Sequence, residues 1–106
     1  MERNFIKVIG GFRYNTETAT KICTYWSDVG PSDFKFERTS LFQTPKGKFF
    51  IAGYGGALSR WSERYGNNGH IAGEGLVPMD VDEARSFAEA HTDADTIAEF
   101  FDIEDA

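Results

Sequence analysis

Hydrophobic patterning is clearest over residues 37–56, where two runs rich in aromatic and β-branched residues flank Pro45-Lys46-Gly47. Pro presets one turn torsion and Gly accepts a positive φ, so this stretch predicts a β-hairpin. In its second run Phe49 and Ile51 alternate with Phe50 and Ala52. A strand that is apolar on both sides is expected at the centre of a sheet, covered on both faces.

The rest of the chain is read outward from that strand. Alternation over residues 5–10, the Gly10-Gly11 pair and Phe12-Arg13-Tyr14 predict a short first hairpin. Asn15 or Thr16 then suits a helix cap, and Ala19, Ile22, Cys23 and Trp26 recur at i, i+3, i+4, i+7. That spacing predicts a helix over one face of the sheet, stopped by Val29-Gly30-Pro31. Leu58, Trp61 and Tyr65 share one helical face and Arg60 and Arg64 another, which predicts one or two helical turns before a loop at 66–70. Residues 74–78 read as a strand that Pro78 confines to an edge or to its own end. Asp80 with Glu83 forms a capping-box pattern, stapled by Met79 and Ala84, for a helix to about His91 that buries Val81, Ala84, Phe87 and Ala88. Thr92 is expected to cap a last helix bearing Asp93 and Asp95 in its first turn and Ile97, Ala98, Phe100 and Phe101 beyond. The predicted class is α+β: a small antiparallel sheet of about five strands, one helix on a face and two C-terminal helices, in one domain over residues 1–106.

Composition adds a compartment. Sixteen aromatic residues can fill a core, and a lone cysteine, Cys23, excludes an internal disulfide. With no run of signal-peptide or membrane-span length, a cytoplasmic protein is expected, without membrane partners.

Charge is uneven. Ten of the seventeen carboxylates fall in residues 80–106 beside one base, Arg85, whereas the first 79 residues hold ten bases and seven acids. Carboxylates on two successive helices can imitate a row of phosphates and enter a basic nucleic-acid channel, and charge of one sign steers association. The plainer alternative is that Asp80, Asp82, Glu83, Asp93 and Asp95 stabilise helix N-termini while the others are merely solvated. As an interaction surface, the candidates are Asp82, Glu89, Asp95, Glu99, Asp102, Glu104 and Asp105. Trp61, Arg64 and Tyr65, of types that anchor interfaces, form a second candidate region. The opposing idea places nucleic acid on Arg38, Lys46, Lys48, Arg60 and Arg64, with Trp61 and Tyr65 stacking on bases.

Catalytic and cofactor signals are weak. Gly53-Tyr54-Gly55-Gly56 precedes no Lys-Ser or Lys-Thr, so the P-loop pattern fails and the glycines read as a bend. Cys23, His70 and His91 have no metal or triad spacing. No catalytic residue, metal or cofactor is expected.

Several motifs together resemble a known group. Tyr14-Asn15-Thr16-Glu17-Thr18-Ala19, Leu41-Phe42-Gln43-Thr44-Pro45-Lys46-Gly47-Lys48-Phe49-Phe50, Gly55-Gly56-Ala57-Leu58-Ser59 and Val77-Pro78-Met79 with Glu83-Ala84 look like a family of small proteins. Its members are carried by bacteria, phages and other mobile elements and mostly lack an assigned function. In general character the chain is also similar to anti-CRISPR inhibitors. That resemblance implies a non-enzymatic protein that blocks a host CRISPR-Cas effector, and it transfers no named residue. The alternative is a small nucleic-acid-binding regulator using the basic hairpin and the Arg60–Arg64 segment.

Overall fold

The computed structural model describes residues 3–67 and 69–106, which form eight strands and two helices. Strands β3 (Thr20–Trp26), β4 (Glu37–Gln43), β5 (Phe49–Gly55) and β8 (Gly73–Met79) make an antiparallel sheet in the order β3-β4-β5-β8. Two small antiparallel ladders accompany it, β1 (Ile6–Ile9) with β2 (Phe12–Asn15), and β6 (Glu63–Tyr65) with β7 (Gly69–Ile71). Helices α1 (Val81–His91) and α2 (Ala94–Phe100) close the order. The α+β class stands, but the helices are C-terminal only and the main sheet has four strands.

The expected central hairpin is present. β4 and β5 pair from Glu37↔Gly55 to Gln43↔Phe49, and the turn closes with Gly47 N–H donating to the Thr44 carbonyl while Gly47 sits at φ 88°. The alternation along β5 divides the core in two. Phe49 and Ile51 join Ile22, Leu41, Trp61, Ala84, Phe87, Ala88 and Phe101 on the helix side. Phe50 and Ala52 join Phe42, Leu76 and Tyr14 on the other, where Tyr14 meets Phe50 edge-on at 5.5 Å. Phe50 is fully enclosed, and burial of such a ring contributes about 1.5–3 kcal/mol.

The cover on that second face is the first hairpin, not a helix. Residues expected to be helical after Thr16 form a turn and then β3. Asn15 does cap, but it caps a turn: its carboxamide oxygen accepts from Glu17 N–H at 2.9 Å, and its carbonyl accepts from Ala19 N–H at 3.1 Å. A β-bulge explains the misleading period. Lys21 pairs with Phe42 and Cys23 with Leu41, so Ile22 is an extra residue, and both Ile22 and Cys23 pack on the helix-side core. Two adjacent apolar residues facing one way look, in sequence, like positions i+3 and i+4 of a helix.

Residues 58–65 are not helical either. Leu58 and Tyr65 are exposed while Trp61 is buried, so the three share no face. Ser59 Oγ donates to the Gly56 carbonyl at 2.8 Å and accepts from Trp61 N–H at 3.2 Å, and such local serine bonding replaces a helical ladder with tight turns. Gly69 and His70, expected in a loop, pair with Tyr65 and Arg64 across the β6–β7 ladder; Asn68 lies outside the described residues.

At the C-terminal end the expected capping box is present, but the cap of the last helix is Asp93 and not Thr92. Asp80 Oδ1 accepts from Glu83 N–H at 2.8 Å and Glu83 Oε1 from Asp80 N–H at 3.0 Å, completing the capping box. Val81, however, is exposed, because it sits at the first helical position before the core-facing stripe of Ala84, Phe87 and Ala88. Thr92 ends α1, and Asp93 is the cap of α2, accepting from Thr96 N–H at 2.8 Å. Ala98 is exposed, while Phe101 turns back to stack on Phe49 at 4.9 Å. Pro78 lies on β8, at a sheet edge. No helix among the described residues is long and apolar enough to cross a membrane.

Candidate functional site

The acidic surface is built on α1, α2 and the chain beyond them. Three of the ten carboxylates in this region serve as caps: Asp80, Glu83 and Asp93. The hydrogen bonds from Thr96 hold the Asp93 carboxyl below its usual pKa. Asp82 is exposed and bridges to Arg85 at 2.8 Å, one turn away on the same helix. Glu89, Asp95, Glu99, Asp102, Glu104 and Asp105 are exposed. Because Ala84, Phe87 and Ala88 of α1 and then Phe101 pack towards the sheet, the helical layer turns its charge outward.

The second candidate region divides. Arg64 and Tyr65 project from β6 and are exposed, with Arg64 Nη2 donating to the Asn67 carbonyl at 3.4 Å. Trp61 is in the core, 7 % exposed, with its indole N–H donating to Thr39 Oγ1 at 2.9 Å, and so cannot serve as a surface anchor. Its seat consists of glycines. A Cβ at Gly53 would lie 2.8 Å from the Trp61 indole nitrogen, and one at Gly75 would lie 3.0 Å from its six-membered ring. Gly53 of β5 and Gly75 of β8 therefore admit an indole to the sheet surface.

Around Trp61 lies a buried polar network that periodicity did not reveal. Thr39 Oγ1 donates to Glu37 Oε2 at 2.7 Å, and the same carboxylate oxygen pairs with Arg60 Nε at 3.2 Å. Glu37 is 8 % exposed and Thr39 fully buried. The clue in the sequence was the alternation Glu37, Thr39, Leu41, which places a carboxylate on the core side of an inner strand. His91, at the end of α1, lies tilted against Tyr25 at 4.8 Å and meets Phe87 edge-on at 4.6 Å. Burial, helped by Arg60 and opposed by Glu37, holds its pKa below the ordinary histidine value.

The bases grouped by the nucleic-acid idea are scattered. Arg60 serves Glu37 on the helix side, Arg38 lies over the Trp26 ring at 4.1 Å on the opposite face, Lys48 lies over Phe12 at 4.3 Å, and Lys46 is exposed in the turn. Chain-distant bases converge instead: Arg3, Lys21 and Arg38 line a small cavity of about 20 Å³ with Ser40 and Tyr54. Burial and the neighbouring Arg38 charge lower the Lys21 pKa. No local spacing could have signalled this grouping, since the three bases come from the N-terminal segment and two strands.

Chemistry at the remaining reactive groups is subdued. Burial raises the Cys23 thiol to about 11, so at neutral pH it is a protonated thiol and a poor nucleophile. Among the described residues no group of three or more His, Cys, Asp or Glu is arranged to hold a metal ion. Comparison of the chain with family models, with curated proteins and with solved structures found no match.

Proposed function

We propose that this domain is a non-enzymatic inhibitor, acting in the host cytoplasm, whose acidic helical layer docks on the basic nucleic-acid-binding surface of a protein partner. The partner class we favour is a CRISPR-Cas effector, in keeping with the resemblance of the chain to small mobile-element proteins. One observation carries the reading. Asp82, Glu89, Asp95, Glu99, Asp102, Glu104 and Asp105 are exposed on one helical layer and its C-terminal extension, and all but Asp82, which pairs with Arg85, are left by packing and capping with their charge turned to solvent. A surface of that kind accelerates encounter with a basic channel and matches the charge of a nucleic-acid backbone.

The test is capture from a nuclease-treated host lysate by tagged protein, with Asp102→Asn, Glu104→Gln and Asp105→Asn combined in the comparison variant. The reading requires a stoichiometric nucleic-acid-binding complex that the wild type retains and the variant loses at unchanged thermal stability. Equal recovery by both would sink it. A second reading, direct nucleic-acid binding by a small regulator, draws on the convergence of Arg3, Lys21 and Arg38 beside Trp26 and Tyr54. A labelled oligonucleotide shifted by the purified protein alone would favour it.

A further inference from the structure

A cleft of about 400 Å³ opens where the 31–36 loop, the end of β5, β6 and the start of β8 meet. Its floor is backbone. Cβ atoms at Gly56 and Gly73 would run into the carbonyl groups of Phe34 and Trp61, so the floor is closely set against neighbouring chain. Its walls carry two kinds of group. Tyr54 and Phe36 are aromatic, their rings 6.1 Å apart, and Glu63 and Glu74 are carboxylates.

One cation already sits there. The Arg3 guanidinium lies over the Tyr54 ring at 3.9 Å and its Nη1 donates to Glu74 Oε1 at 2.9 Å. Its side chain is nevertheless 51 % exposed, so the contact is shallow. Glu63 lines the same cleft, giving two carboxylates for one guanidinium among its own lining residues, while Lys21 and Arg38 line the adjoining small cavity that shares Arg3 and Tyr54. An aromatic face beside carboxylates is the chemistry that recognises a planar guanidinium, which stacks and donates at once; an ammonium group does only part of this.

We propose that this cleft receives an arginine side chain from a segment of the basic partner that reaches past the helical layer to the opposite face of the sheet, and that Arg3 holds its rim as a built-in competitor in the free protein. The inference rests on the docking reading above and specifies the partner's chemistry at one point. The incoming guanidinium displaces Arg3 from Tyr54 and pairs with Glu74 and Glu63.

A fluorescein-labelled Gly-Arg-Gly-Arg-Gly peptide, followed by anisotropy and by amide shifts in a ¹⁵N-labelled protein, tests this directly. Arg3→Ala is expected to tighten binding by about 3–10-fold, as removal of a surface ion pair and a cation–π contact implies. Glu63→Gln with Glu74→Gln is expected to weaken it by at least as much, and Tyr54→Leu by about 2–5-fold. The lysine peptide should bind more weakly, and amide shifts should centre on Gly55, Gly56 and Gly73. Unchanged or weaker binding by Arg3→Ala overturns the proposal. So does peptide binding that is lost with Asp102→Asn, Glu104→Gln and Asp105→Asn but kept by Glu63→Gln with Glu74→Gln, a result that would leave the acidic-layer reading standing. If the cleft binds the peptide as stated while lysate capture ignores the C-terminal acids, the cleft survives and the helical layer does not.

Discussion

At the level of single residues, Thr39 does the most for its size. It is fully buried, accepts from the Trp61 indole and donates to Glu37, so its hydroxyl joins an apolar anchor to a nearly buried charge. Thr39→Val keeps the shape and leaves both partners wanting a bond, which should cost about 1–3 kcal/mol in urea unfolding. A change below about 0.5 kcal/mol would mean that the network is re-formed without it. His91 adds a pH dependence. Its folded pKa lies below 6.5, so as pH falls the unfolded chain takes up the proton first. The stability from keeping His91 neutral is therefore complete above the usual histidine range and lost as pH drops through the lowered value. His91→Phe keeps a ring against Tyr25 and Phe87, and its unfolding free energy should vary less between pH 7.5 and 5.5 than that of the wild type. An equal slope would mean that His91 does not set the pH dependence.

Among elements, the central strand β5 sets the plan, since its two faces generate the two cores. Its glycine is as consequential as its phenylalanines. A Cβ at Gly53 would strike the Arg38 carbonyl and lie 2.8 Å from the Trp61 indole nitrogen, so Gly53→Ala should cost about 1–3 kcal/mol as an overpacked site. The same change should shift tryptophan emission to the red as Trp61 is displaced; unaltered emission and stability would contradict the seating. Strands with plain alternation, the Pro45-Lys46-Gly47 turn and the capping box were legible because each rests on neighbours in sequence. The β3 bulge was not, because one inserted residue turned a strand into a convincing helical period. The glycine seat for Trp61 was also hidden, since the indole and its glycines meet only after residues 56–62 fold back over the sheet. For the candidate site, the outward acids of the helices were legible from periodicity, although Val81 and Ala98, expected inside, are exposed, whereas the Arg3–Tyr54–Glu74 cleft joins segments remote in the chain.

Over the whole molecule, charge is segregated. Ten carboxylates in residues 80–106 accompany the helical layer, while Arg3, Lys21 and Arg38 gather at the opposite face of the sheet. Under the docking proposal such a distribution would orient the domain towards a basic partner, with an association rate that falls as salt rises. The most direct measurement is the binding of labelled guide or target nucleic acid to a purified captured complex, with wild-type protein or the Asp102→Asn, Glu104→Gln, Asp105→Asn variant as competitor. Wild-type protein is expected to displace the nucleic acid, and the variant, equally folded, to need at least about tenfold more protein, as loss of several charge contacts implies. Displacement by both at the same concentration would contradict the claim that the acidic layer is the docking surface.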